Sequence, residues 1–370
     1  MGREIAYVAA AAGFAVRLRD LDPDALMRGL AYIESTSARR IDRGRATAND
    51  HTSLVSRVTP AADDRDLSNC DVVIEAVSEV MTTKLAVLGA IDRVLPAGAI
   101  IASNTSGLSI TELARATSRP AQTIGMHFFN PARVMPLVEI IRGADTSDET
   151  LAAVLALTEA FGKTPVVVSE CPGFLVNRIL CRGLAEAYRA AAETGASYAA
   201  ADASVVAHGP APMGPFRLGD LVGLDTLSHV LRDLTAAYGD RFSDASLTAT
   251  CVADGHLGVK SGRGFYAGSP PESAPDPEGD VVASRYYFGA FDEACRAIEE
   301  VVAAMPDIDT AMRLGAGWQS GPLAWADAEG LPSVTARLEQ LAETVGERFA
   351  PRAPLRTRSR DGGSFVEVAA

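Results

Sequence analysis

Apolar and polar residues change their spacing near residue 171. Ahead of that point short apolar runs alternate with helical stretches. Residues 3 to 12 are Ala-rich without a breaker and predict a helix ended by Gly13, after which Phe14 to Asp20 reads as a strand. A polar helical region over 24 to 48 is followed by runs of strand length at Ser53 to Pro60, Asp71 to Val77 and Ala99 to Ser106. A helix beginning near Ser109, strands at Thr123 to Phe128 and Pro136 to Ile141, a helix over 147 to 162 and a strand at Thr164 to Ser169 complete this half. Beyond Pro172-Gly173 the period is helical, with Leu175, Ile179, Leu180 and Leu184 recurring at helical spacing. The pattern predicts an α/β domain over 1–170 and an all-α remainder.

The helical half occurs twice, at an offset of 107 residues. Glu186-Ala187 recurs as Glu293-Ala294, Arg189 as Arg296, Asp202 as Asp309, Gly214-Pro215 as Gly321-Pro322, Asp220 as Asp327, and Arg241-Phe242 as Arg348-Phe349. Two copies of this length predict a duplicated domain, not a solenoid. The copies are expected at 171–268 and 281–370, with a Pro-rich linker over 269–280. Ser284 stands where Asn177 stands in the first copy, so the second copy is expected to be degenerate and structural.

The chemistry concentrates between Gly125 and Glu139. His127 ends one apolar run and Glu139 lies inside the next, with a Pro-containing turn from Asn130 to Pro136 between them. Strands joined by this turn would lie side by side and bring imidazole and carboxylate together. A carboxylate on one ring nitrogen makes the other a proton acceptor. From spacing alone a satisfied core histidine with a surface glutamate is the more ordinary reading. Asp20, at a strand end, suits the ribose hydroxyls of NAD and repels a 2′-phosphate, and an Asp-rich helix entry through Asp22 and Asp24 is equally open. Val77 to Glu79 follow a strand end where such a sheet meets its cofactor. Ser106 reads either as a helix cap or as a site residue, and a hydrolase elbow is disfavoured because Thr105-Ser106-Gly107 lacks the leading glycine.

A formal net charge of -13 without a basic run argues against a nucleic-acid partner. Five cysteines without a Cys-x-x-Cys or zinc spacing predict reduced thiols in the cytoplasm and no metal site. No stretch reaches the ~18 apolar residues that a membrane span requires.

Met1-Gly2, Asp20, Glu75-Ala76-Val77, Lys84, Ser103-Asn104-Thr105-Ser106, His127-Phe128-Phe129-Asn130-Pro131 and Pro172-Gly173-Phe174-Leu175-Val176-Asn177-Arg178, in this order, resemble the 3-hydroxyacyl-CoA dehydrogenase family. The resemblance covers nearly the whole chain and is closest to the dehydrogenase half of the multifunctional fatty-acid-oxidation complex alpha subunit. It implies a Rossmann-like NAD-binding domain followed by two duplicated all-α domains, and NAD-dependent oxidation of 3-hydroxyacyl-CoA to 3-oxoacyl-CoA in fatty acid β-oxidation. By the same resemblance His127 is the base and Glu139 its orienter, while Ser106 and Asn177 bind the reacting oxygen and the thioester carbonyl. Cofactor contacts are implied at Met1, Gly2, Asp20, Val77, Glu79, Lys84, Ser106 and Asn130. An acyl-CoA thioester substrate, a thiolase or hydratase subunit and a homo-oligomer are the implied partners.

One departure stands out. The Gly-x-Gly-x-x-Gly expected after a first strand is absent, and only its final Met-Gly remains, as Met1 and Gly2. A late start codon, a split or fused gene product, and a degenerate inactive chain are the three explanations expected. A non-catalytic acyl-CoA-binding or assembly subunit that has lost its NAD cradle is the alternative function.

Overall fold

The computed structural model describes residues 1–366. The chain divides after Cys171 into two compact units. The first contains α1 (Gly2–Ala11), β1 (Val16–Arg19), α2 (Pro23–Asp42), α3 (Ala48–Ser56), β2 (Val58–Ala61), β3 (Val72–Glu75), α4 (Met81–Asp92), β4 (Ile100–Ser103), α5 (Ile110–Ala114), β5 (Thr123–Phe128), β6 (Leu137–Arg142), α6 (Asp148–Ala160) and β7 (Thr164–Ser169). Strands β1 and β2 form one parallel pair, and β3-β4-β5-β6-β7 form a second sheet, parallel except between β5 and β6. The second edges of β1 and β3 have no ladder partner among the described residues. Val16 of β1 and Ile74 of β3 nevertheless pack into one core with Ile5, Val8 and Ala9 of α1. This is the Rossmann-like α/β architecture expected for a sheet lacking its first strand.

The expected strand from Ser53 to Pro60 is a correction, because α3 occupies its first half and β2 starts only at Val58. The helix wins through a reciprocal cap: Thr47 Oγ1 accepts the Asp50 amide at 3.1 Å, and Asp50 accepts the Thr47 amide at 2.8 Å. That nucleates the first turn, and Leu54 then buries the inward face.

The second unit is helical, with α7 (Val176–Thr194), α8 (Tyr198–His208), α9 (Pro215–Val222), α10 (Leu224–Tyr238) and α11 (Leu247–Ala253) in the first copy. The second copy supplies α12 (Pro277–Glu299), α13 (Met305–Gly315), α14 (Pro322–Glu329), α15 (Leu331–Thr344) and α16 (Ala353–Asp361). The linker is shorter than expected: Asp276 caps α12 by accepting the Gly279 amide at 2.7 Å, so residues 277–280 form its first turn.

Equivalent aspartates do equivalent work in the two copies. Asp202 accepts the Phe216 and Arg217 amides, each at 2.9 Å, and Asp309 accepts the Leu323 and Ala324 amides at 2.9 and 2.8 Å, which secures the start of α9 and of α14. The backbone comes so close that a Cβ at Gly214 would lie 2.4 Å from the Asp202 Cα, and one at Gly321 would lie 2.3 Å from the Asp309 Cα. Only glycine fits these two positions.

The two copies are joined by buried charges that cross over. Glu186 on α7 accepts Arg285 at 2.8 Å and Arg348 at 2.6 Å, both from the second copy, together with its own neighbour Arg182 at 2.7 Å. Glu293 on α12 accepts Arg178 at 2.6 Å and Arg241 at 2.9 Å, both from the first. Arg178 and Arg285, and likewise Arg241 and Arg348, are related by the repeat offset, so each copy's glutamate is held by the other copy's arginines. This reciprocity is that of a twofold interface built within one chain.

Burial alone would raise the Glu186 carboxyl, but Arg182, Arg348 and Arg285 outweigh it and hold it down at about 2, against 4.5 for an ordinary glutamate. Folding therefore favours the ionised form. The stabilisation is complete above pH 4.5 and is lost as pH falls toward 2. Glu186→Gln should lower the unfolding free energy by on the order of 3 kcal/mol near neutrality, as expected for leaving buried arginines unmatched. In denaturant titrations the gap from wild type should shrink with falling pH; a gap that stays constant would contradict this account.

Candidate active site

The antiparallel register of β5 and β6 sets His127 directly opposite Glu139. Cross-strand partners share a face of the sheet, so the two side chains meet, with Nδ1 of His127 2.7 Å from Oε2 of Glu139. Glu139 is wholly buried and His127 is 6% exposed. The Phe129 ring lies 4.5 Å from the imidazole, centroid to centroid. The expected side-by-side pairing is therefore present, and the bland reading of a surface glutamate does not apply.

The turn between these strands is anchored from outside. Lys163 donates its Nζ to the carbonyls of Ala132 at 2.6 Å and Met135 at 2.8 Å, and Glu4 of α1 accepts the Arg133 amide at 3.2 Å. Asn104, just past β4, accepts the Phe128 amide at 2.8 Å, which ties the end of β4 to the residue after His127.

A second group of expected residues forms a separate network. Glu79 accepts the Ser106 amide at 2.8 Å, the Ser106 hydroxyl at 3.1 Å and the Thr105 hydroxyl. Lys84 is fully buried, with its ammonium 2.8 Å from Glu75 and 3.3 Å from Glu79. Lys84 thus lies inside the protein, where Glu75, itself 3% exposed, needs a cation beside it. Val77 is partly exposed, and its amide donates to Glu75 at 2.6 Å. Asn130 is exposed at the start of the turn, before Pro131. Asn177 is the second residue of α7, in the helical unit.

The donors present suit a dinucleotide. Helix α1 begins after Met1 without a side-chain cap, and a Cβ on Gly2 would lie 3.8 Å from that of Ala76, just past β3. An uncapped helix start at the carboxyl edge of a parallel sheet offers amides to a pyrophosphate. Asp20, exposed just past β1, accepts the Asp22 amide at 3.0 Å, while Asp22, not Asp20, caps α2. Sequence reasoning missed the parts played by Glu75 and Lys163. Neither sits at a helical or strand spacing from its partner, so no periodic signal marks it.

Comparison with known proteins agrees with this geometry. Residues 1–171 match the 3-hydroxyacyl-CoA dehydrogenase NAD binding domain, and residues 173–268 and again 281–365 match the C-terminal domain of the same family. A probable 3-hydroxybutyryl-CoA dehydrogenase of Bacillus subtilis is 42% identical over 267 residues, covering 72% of this chain and 93% of that protein. The fatty acid oxidation complex subunit alpha of Idiomarina loihiensis is 34% identical along the whole chain, which spans 54% of that longer protein. The crystal structure of 3-hydroxybutyryl-CoA dehydrogenase from Escherichia coli K12 superposes with a TM-score of 0.90 at 30% identity, over 97% of this chain and 96% of that one.

If Lys163 fixes the turn, Lys163→Met should speed amide exchange of Val134 and Met135 by about tenfold or more while leaving α6 unchanged. Hydrogen exchange read residue by residue checks this, and equal acceleration in both segments would mean general destabilisation.

Proposed function

We propose that this chain, which belongs to the 3-hydroxyacyl-CoA dehydrogenase family and is an NAD-dependent oxidoreductase acting on acyl-CoA, serves fatty acid β-oxidation by converting 3-hydroxyacyl-CoA to 3-oxoacyl-CoA. The observation that carries the residue assignment is the buried 2.7 Å contact between His127 and Glu139. A carboxylate at Nδ1 favours the tautomer with its proton there and its lone pair on Nε2. His127 then takes the 3-hydroxyl proton at Nε2, and Glu139 steadies the imidazolium that results. Bound NAD supplies the acceptor for the hydride that leaves carbon 3. Ser106 and Asn177 hold the reacting oxygen and the thioester carbonyl. The uncapped start of α1 at Met1 and Gly2 receives the pyrophosphate, and Asp20 the adenosine ribose. Val77, Glu79 and Asn130 line the nicotinamide side.

A thiolase or hydratase subunit as partner belongs to the same reading, supported by the alpha-subunit name of the Idiomarina relative. Homo-oligomerisation and a cytoplasmic location are further parts of it. No helix among the described residues is long and apolar enough to cross a membrane.

The direct test is formation of NADH from NAD and 3-hydroxybutyryl-CoA by the purified protein. His127→Gln should abolish turnover while keeping NADH affinity within about threefold. Glu139→Gln should cost roughly two to four orders of magnitude in kcat, the scale of a misoriented base. Turnover within about fivefold of wild type would remove Glu139 from the mechanism. Binding of an acyl-CoA without any binding of NADH would instead favour a non-catalytic acyl-CoA-binding or assembly subunit.

A further inference from the structure

Arg182 lies on α7 with no exposed surface, at the seam where the two helical copies join. It is one of three guanidiniums on Glu186: Arg182 donates Nη1 at 2.7 Å, Arg285 donates Nη2 at 2.8 Å and Nε at 3.0 Å, and Arg348 donates Nε at 2.6 Å. Among the described residues the carboxylates paired with these arginines are Glu186 and Glu193, the latter on Arg285. Three positive charges therefore meet two negative ones.

The surplus falls on Arg182. Arg285 turns the edge formed by Nε and Nη2, the parallel fork that grips an anion side-on, toward Glu186. The same edge of Arg182 has no hydrogen-bond partner among the described residues. The Phe349 ring lies with its centroid 5.1 Å from the Arg182 Cζ, and a ring quadrupole attracts a cation without replacing a full negative charge. Nor does the repeat supply a counter-charge, because the mate of Arg182 is Gly289, where a Cβ would stand 3.3 Å from Arg182 Nη1. Arg178, one turn ahead on the same face of α7, is as fully buried and keeps an Nη2 without a partner among the described residues. Burying such donors unmatched is strongly unfavourable, and a water molecule would meet the donors but not the charge.

We propose that the seam between α7 and α12 binds a small monovalent anion such as chloride on the edge of Arg182 formed by Nε and Nη2. Size and charge both select it. Arg182 is closed to solvent, so a phosphate or carboxylate ligand that keeps part of itself in water does not fit, whereas a halide brings one charge on one atom. Its binding balances the group at three charges against three, and mass action then ties the join between the copies to halide concentration.

Fluorescence-detected thermal unfolding tests this, because the chain's two tryptophans, Trp318 and Trp325, both lie in the helical unit. Exchanging gluconate for chloride at constant ionic strength, from about 5 to about 150 mM chloride, should raise the wild-type midpoint by about 3 °C. Arg182→Met removes the surplus charge together with its donors, and its midpoint should move by less than about 0.5 °C under the same exchange. Equal shifts in the two proteins would show a general salt effect and overturn the proposal, as would a wild-type midpoint that does not respond. Anomalous diffraction from wild-type crystals in bromide is the second measurement, with a peak expected within hydrogen-bond reach of Arg182 Nε and Nη2. A water or a protein acceptor at that edge, with no anomalous signal, overturns the proposal even where the midpoints shift. The diffraction needs no variant, so it decides the matter if Arg182→Met does not fold. Neither readout depends on turnover, so a failure of the dehydrogenase reading leaves both intact.

Discussion

A carboxylate deprived of water must find donors or a cation within the protein, and this fold is arranged around several that do. Glu139 meets His127, Glu75 meets Lys84, and Glu186 and Glu293 meet arginines from the opposite copy. Each is almost or entirely sealed from solvent. None of these contacts is a cheap surface ion pair, since losing one partner leaves the other charged in a poor medium. The backbone therefore has little latitude where they occur. At β5 and β6 that constraint fixes which residues face each other across the ladder. At the end of β3 it fixes a loop, and between α7 and α12 it fixes how two similar bundles join.

The β5–β6 pairing was legible in the sequence because a turn of known chemistry separated two apolar runs, and a slip of one residue would have sent His127 and Glu139 to opposite faces. The strand Thr164 to Ser169 was equally legible, bounded by a glycine before it and Pro172-Gly173 beyond. Ser53 to Pro60 was not, because its β-branched residues suited a strand while the deciding signal, Thr47 with Asp50, lay ahead of the run. The partnership of Glu75 with Lys84 spans a strand end, a bend and a helical turn. No fixed period describes such a path, so the pair emerged only in three dimensions. Position alone makes Lys84 an ordinary solvated lysine, and it is that reading its full burial beside Glu75 replaces.

Identities such as Glu186 with Glu293 and Arg241 with Arg348 mark the repeat and imply two similar bundles, the second structural. What the identities could not reveal is that the pairs exchange partners. Equivalent residues in two bundles can be satisfied within each copy or across them, and the sequence is the same in either case. The close approach of Gly183 to the Tyr286 carbonyl, 3.0 Å from where a Cβ would stand, is what lets α7 and α12 come near enough for the exchange.

That exchange also bears on how such a chain can change over generations. A duplicated segment is ordinarily free to drift once its twin performs the original task. Here a substitution at Glu186 is felt first by Arg285 and Arg348, which belong to the other copy. The seam therefore acts as a ratchet on divergence: each half can vary even along α7 and α12 away from the charged centre, as Ser284 in place of Asn177 illustrates, but the charged centre can alter only through matched changes in both halves.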